Sequence, residues 1–315
     1  MRTKLIIMAV LVAVFGLVYL FYGLNFKFFE FSMSLRIPKF LAMLLVAYCI
    51  GAATLIFQTI IKNTIVTPCL LGMNSLYLLI HTAVMFFLGS ASVFVLNKFA
   101  SFMLDLVLMG SIATFLYSYL FRVTGHNVLY VLLTGTVMAT LFSSLQNSMV
   151  RVMDPNEYDA LLSSLVASFN NVNSDILGFA FIVAFVLSIV FYKDLKLLDA
   201  ISLGKEMAIN LGIDYDKVTK RLLLGVALFI AVATALVGPI SFLGLIIANL
   251  SRQFFNTYRH SYLIAGSIFF GMIVLIVGQV IVERVFVLSV PISVFISIMG
   301  GGYFMYLLVV NRSRI

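Results

Sequence analysis

Three histidines (His81, His126, His260), two cysteines (Cys49, Cys69) and one carboxylate inside a long apolar stretch (Asp105) are the residues whose types could hold a metal, attack a carbonyl or carry a proton. Their spacing supports none of these chemistries. Zinc sites need Cys or His ligands at short, repeated intervals, whereas these five are scattered singly and read as packing residues. A nucleophile or general base needs partners within hydrogen-bond reach, and no cluster of carboxylates, His-rich run or activated nucleophile is present to assemble one. There is no Gly-x-x-x-x-Gly-Lys-Ser/Thr loop, so the chain does not cradle nucleotide phosphates by that route. No catalytic residue and no metal site is therefore assigned. An intramembrane carboxylate is a functional candidate by default, yet one turn of shift brings Asp105 to the interface, where a structural or paired role suffices.

The elements that must carry these residues are set by composition. Of 315 residues, 63% are hydrophobic and 10% charged, against about 25% charged in a soluble domain. With so few polar groups to cover a water-facing surface, most of the chain must have lipid as its solvent. The stretches 5–26, 40–61, 63–97, 123–150, 222–251, 260–282 and 285–311 contain no Asp, Glu, Lys or Arg. In hydrocarbon every backbone N–H and C=O must be satisfied internally, and the alternation of an outer-membrane barrel is missing, so these stretches are expected to be helical. The fold expected is all-α, a polytopic membrane protein with spans near 5–25, 40–61, 69–89, 99–120, 128–150, 174–192, 221–239, 241–255, 261–283 and 290–310. No low-complexity linker divides the chain, so residues 1–315 read as one membrane domain. Gly238-Pro239 breaks the seventh span, and the eighth is short enough to be a tilted or partial helix. Arg2 and Lys4 before the first apolar run imitate a signal peptide, but the run is too long for an h-region and no small-residue cleavage site follows it.

The formal charge of +8 reads as an orientation signal, not as a nucleic-acid footprint. Both termini inside gives fourteen Lys and Arg on the cytoplasmic side against six outside: Lys27, Arg36, Lys39, Lys98, Arg151 and Arg284. Two connections are long enough to have structure of their own, 151–173 outside and 193–220 inside. In the inner one Ser202 is expected to cap a short helix that Gly212 terminates, giving two small helices at the cytoplasmic face. Such a segment is either a docking surface for a cytoplasmic partner or an interfacial helix lying on lipid without one.

That inner loop, with Gly204, Glu206, Ala208 and Leu211-Gly212, resembles the coupling segment of the FecCD-type permeases of iron-siderophore and vitamin B12 ABC importers. Other segments carry the resemblance in order. Arg36-Ile37-Pro38-Lys39 is similar to the Arg-Leu-Pro-Arg that opens the family's second span. Gln58, then Lys62-Asn63-Thr64-Ile65-Val66-Thr67-Pro68 and Leu71-Gly72, is similar to Gln…Arg-Asn-Pro-Leu-Ala-Asp-Pro…Leu-Gly. Gly238-Pro239-Ile240-Ser241-Phe242-Leu243-Gly244-Leu245 resembles Gly-Pro-Ile-Gly-Phe-Val-Gly-Leu, with Arg252 closing the segment, and Pro291 through Gly300-Gly301-Gly302 to Leu308 resembles the last helix. Thr64 stands where the family has proline, and Ala248-Asn249 where it has Pro-His. With these variants, and with Ala167-Ser168-Phe169-Asn170-Asn171 and Ile281-Val282-Glu283-Arg284-Val285-Phe286, the chain is similar to the branch serving petrobactin-type and related catecholate siderophores.

The resemblance implies the type II ABC importer permease fold. It implies a second permease subunit, expected to be a different chain, and two ATPase subunits that bind ATP and Mg, with no cofactor on this chain. It also implies an extracytoplasmic siderophore-binding protein. By position, Arg36, Lys39 and Arg284 are expected to dock that binding protein; the other reading is that they snorkel to lipid phosphates. Asn63 and Ile65 correspond to a cytoplasmic gate, or else to an ordinary polar loop end. Ser202, Gly204, Glu206, Ala208 and Gly212 are expected to couple to the ATPase. Ser143, Ser144 and Gln146 either line the translocation pathway or act as packing glue between helices. The competing function, an ion-coupled secondary transporter of a small solute, would need ionisable groups near the midplane, and apart from Asp105 the chain has almost none.

Overall fold

Helices follow from the need to satisfy every backbone group within its own segment, and the computed structural model is helical over most of each span. It describes residues 1–23, 28–89, 92, 95, 97–124, 128–165, 167–170, 172–286 and 290–312. Lys27, His126, Asn171 and Arg314 lie outside the described residues. The helices are α1 (Arg2–Phe21), α2 (Phe29–Ile61), α3 (Asn74–Leu88), α4 (Lys98–Val123), α5 (Val128–Val152), α6 (Pro155–Leu165), α7 (Ser174–Lys196), α8 (Leu198–Leu203), α9 (Lys205–Asn210), α10 (Tyr215–Val237), α11 (Leu243–Phe255), α12 (His260–Arg284) and α13 (Ile292–Arg312). A wide π-type turn, Cys69–Met73, leads into α3. Among the described residues, seven helices are long and apolar enough to cross a membrane.

Burial sorts these helices into layers. In its most apolar window α2 is 78% buried and α10 67%, against 17% for α1, so α2 and α10 form the centre while α1 lies at the periphery. α12 packs along α2, with α1 and α11 against α12 and with α4 and α7 against α10. The α2–α12 crossing is close because it is made of small residues. A Cβ on Gly51 would stand 3.1 Å from the Ile268 backbone nitrogen, and one on Gly271 would stand 3.1 Å from the Ala47 Cβ. Ser267 also donates to the Gly51 carbonyl at 3.2 Å. Exposed Ile6, Val10, Leu17, Ile182, Phe185 and Ile189 on α1 and α7 form apolar faces that suit lipid or another membrane chain.

Several boundaries differ from expectation. α2 begins at Phe29 and carries Pro38 inside it, because the missing N–H falls near the end of the span, where the carbonyl it leaves free can be solvated. α10 starts at Tyr215, since Asp214 caps it by accepting from the Lys217 N–H at 3.1 Å. Within 151–173 lies α6, introduced by Asp154 and Pro155. The short eighth segment is α11, whose 13 residues reach about 20 Å of a hydrocarbon core about 30 Å thick. The expected Ser202 cap is not found. Ser202 sits in the last turn of α8 and donates to the Asp199 carbonyl at 2.7 Å. Gly204, at φ +111°, separates the two short helices, a conformation that a residue with a Cβ rarely adopts.

Candidate functional site

At one end of the bundle the segment 62–67 is held by buried amides. Lys62 ends α2 in the left-handed conformation at φ 56°. Asn63 turns the chain by accepting from the Ile65 N–H at 2.8 Å. The Thr64 carbonyl accepts from Gln58 Nε2 at 2.6 Å and from Asn249 Nδ2 at 2.9 Å, so α2 and α11 grip the same peptide. Asn249 also donates to the Leu245 carbonyl at 2.9 Å. The grip by Asn249 spans 185 positions, and nothing local in the sequence announces it. Asn249→Ala removes one of the two donors to Thr64 and is expected to cost roughly 1 kcal/mol, read as a lowered Tm of the solubilised protein; an unchanged Tm would mean that Gln58 alone holds the turn.

Beside this turn lie α8 and α9. Leu198, Ile201 and Ala208 are fully buried beneath them, while Leu203, Met207, Ile209 and Leu211 are 53–62% exposed. Glu206 is exposed, and Lys205 pairs with Asp216 at 2.9 Å. Gly212, at φ +77°, closes α9, with the Ile213 N–H reaching back to the Ala208 carbonyl at 3.0 Å. The Lys62 ammonium lies 2.6 Å from where a Cβ on Gly204 would be, so the turn after α2 and the break between α8 and α9 touch. Asp199 reaches the start of α12, accepting from the His260 N–H at 2.9 Å and pairing with His260 Nδ1 at 2.6 Å.

At the opposite end Arg36, Lys39 and Arg284 come together around an open depression of about 290 Å³, with Glu283 among them. Arg36 Nη1 donates to the carbonyls of Tyr19, Leu20 and Tyr22 at 3.1, 2.8 and 3.0 Å, which caps the C-terminus of α1 with a cation. Arg284 donates to the Tyr22 carbonyl at 2.8 Å and lies over the Tyr22 ring. Lys39 donates to Asn170 Oδ1 at 3.0 Å and sits 3.7 Å from Glu283, both side chains being about five-sixths buried. Glu283 Oε1 also accepts from Gln279 at 2.8 Å and from the Tyr19 hydroxyl at 3.3 Å. The sequence reading did not single out Glu283. Its signals were the i, i+4 spacing from Gln279 and its place beside Arg284.

The α5 residues do not converge. Ser143 Oγ lies 3.2 Å from Ser75 Oγ on α3, whereas Ser144 is exposed and Gln146 half-buried. Asp105 is paired: its Oδ2 stands 2.9 Å from His81 Nε2, the carboxylate is 2% exposed, and its second oxygen has no partner. The Tyr77 ring packs on His81. Cys49 and Cys69 are buried free thiols.

Known proteins share this architecture and sequence. A solved structure described as an inward-facing metal-chelate type ABC transporter superposes with a TM-score of 0.82, covering 98% of this chain and 99% of that one at 21% identity, a likeness of fold. The petrobactin import system permease YclO of Bacillus subtilis (strain 168) is 46% identical over 290 residues, which is 92% of this chain and 91% of that protein. The petrobactin import system permease FatC of Bacillus anthracis is 31% identical over 279 residues, 89% of this chain and 78% of that protein. Residues 2–310 match the FecCD transport family, and the chain belongs to it.

Proposed function

We propose that this chain is the membrane-spanning permease subunit of an ABC importer that carries a ferric siderophore of the petrobactin type across the cytoplasmic membrane. The observation that carries this reading is the 46% identity to a petrobactin import permease over 92% of the chain. The geometry supports it, because the two ends of the bundle differ in the way such a subunit requires. The exposed apolar side chains of α8 and α9 suit insertion into a groove on an ATPase subunit, where ATP and Mg bind and hydrolysis takes place. The cationic cluster at the other end suits an acidic face on a siderophore-binding protein. In this reading the whole chain is one membrane domain, both termini are cytoplasmic, and Asn63 and Ile65 gate the inner mouth. Ser143, Ser144 and Gln146 lie near the central pathway, which is formed with a second, different permease chain.

Cells lacking this chain are expected to lose at least ten-fold of their uptake of radiolabelled ferric petrobactin and to keep uptake of ferric hydroxamates, with restoration by the intact gene. Unchanged uptake of petrobactin in the deletion strain, with no second petrobactin importer present, would overturn the substrate assignment.

A further inference from the structure

Among the described residues, α12 starts at His260 with a bond to the short surface helix α8 and ends at Glu283 and Arg284 within the cationic cluster. Its N-terminal N–H groups need acceptors, and the preceding residue, Arg259, offers no side-chain cap. The cap comes instead from α8, 61 positions away, where Asp199 Oδ1 accepts both the backbone N–H and Nδ1 of His260. The His260 side chain is 7% exposed and Asp199 49%, so the imidazole is lodged in the bundle while the carboxylate rides on the surface helix. α8 has six residues, too few for independent stability, and it is seated by buried Leu198 and Ile201. At the far end of α12, Glu283 holds Lys39 and Tyr19, and Arg284 holds Tyr22. Along its length α12 meets α2 with near-backbone contact at Gly51.

Resting on the permease reading above, we infer that Asp199 is a positioning residue: through its double contact with His260 it ties the ATPase-facing helix α8 to α12. A displacement of α8 is thereby transmitted to α12 and, through the tight crossing at Gly51, to α2. An ordinary helix cap would stabilise α12 and nothing more. A coupling contact makes the first turn of α12 respond to the nucleotide state of the ATPase through the position of α8.

The test uses the complete importer, permease pair, ATPase pair and binding protein, reconstituted in lipid with wild type, Asp199→Ala or Asp199→Asn. Hydrogen exchange at residues 260–264 is compared between the nucleotide-free and ATP–vanadate-trapped states, and ferric petrobactin imported per ATP hydrolysed is measured alongside. In the wild type, exchange at 260–264 is expected to change on trapping. Asp199→Ala is expected to abolish that change and to lower the import-per-ATP ratio about ten-fold, whereas Asp199→Asn, which keeps a neutral acceptor, loses only about two- to three-fold. A wild-type exchange response in Asp199→Ala, or a loss of import and hydrolysis in equal proportion with the ratio unchanged, would overturn the inference. If the wild type fails to import ferric petrobactin while its exchange response still depends on Asp199, the substrate reading fails and the coupling inference stands.

Discussion

Gly238→Ala is expected to destabilise the protein by about 2 to 6 kcal/mol. Two costs add at this position. Gly238 has φ 90° and ψ 176°, a region essentially restricted to glycine, and forcing another residue there costs about 1–3 kcal/mol. The new Cβ would also stand 2.8 Å from Ala167 Cα and 3.1 Å from Ala167 N. Backbone atoms cannot rotate away as a side chain can, so overpacking adds about 1–3 kcal/mol. The neighbouring contact cannot loosen freely, because the Ser168 N–H donates to the Val237 carbonyl at 2.9 Å. Thermal unfolding of the solubilised protein and its yield in membranes should both fall sharply. Gly178→Ala is the control: no atom lies within 4 Å of its Cβ position on α7, and alanine there should be neutral or stabilising by roughly 0.5–1 kcal/mol. A Gly238→Ala protein with the Tm of Gly178→Ala would show that the break after α10 is not held in this conformation.

That break sets up the local architecture. α10 stops at Gly238, Phe242 takes a left-handed conformation, and α11 starts part-way through the bundle. The connection is fastened by Asn74 on α3, which donates to Ser241 Oγ at 2.9 Å. Non-helical backbone at such a depth is tolerable only when it is buried in protein or lines a polar space. Gly238 does line such a space, a cavity of about 300 Å³ shared with Asp105, His81 and Ser101.

The helical fold and the order of its spans were legible because both depend on local quantities, hydropathy and the spacing of helix breakers. Gly238-Pro239 announced the break, and Gly212 the end of α9. Ser202 was misread because it is a good capping residue by type, but the position that needed a special conformation was Gly204, two residues on, under the Lys62 ammonium. Local signals for α6 were present in Asp154-Pro155 and could have been used. What could not be read were the polar contacts that join distant elements: Asp199 to His260, Asn249 to Thr64, and Lys39 to Asn170 and Glu283. Each is decided by which helix faces which after packing, and a one-residue rotation of either helix would dissolve it. The resemblance brought Arg36 and Arg284 forward by position alone, without indicating that both hold the end of α1.

Reversing Arg36 and Arg284 together to Glu is expected to reduce siderophore uptake at least ten-fold, and the two positions should fail for different reasons. Arg36 directs one nitrogen at three carbonyls of α1, and hydrogen bonds from a charged donor contribute about 1.5–3 kcal/mol. A carboxylate there would face the negative end of the helix dipole. Arg36→Gln should therefore lower Tm, and Arg36→Glu should lower it further. Arg284 is exposed and makes one such bond, so most of its charge still acts on approaching molecules. Arg284→Gln should lower Tm less than Arg36→Gln does and slow association with the loaded binding protein about ten-fold at low salt, because exposed charge steers the encounter. That difference should shrink at high ionic strength, where the Debye length falls to about 3 Å at 1 M. Association rates at two salt concentrations, together with Tm for each variant, separate the two effects. If Arg284→Gln lowers Tm and leaves the association rate and its salt dependence intact, Arg284 holds α1 and does not dock a partner. A slowed, salt-sensitive association that recovers when an acidic residue on the binding protein is changed to arginine against Arg284→Glu would place the docking contact on this side chain.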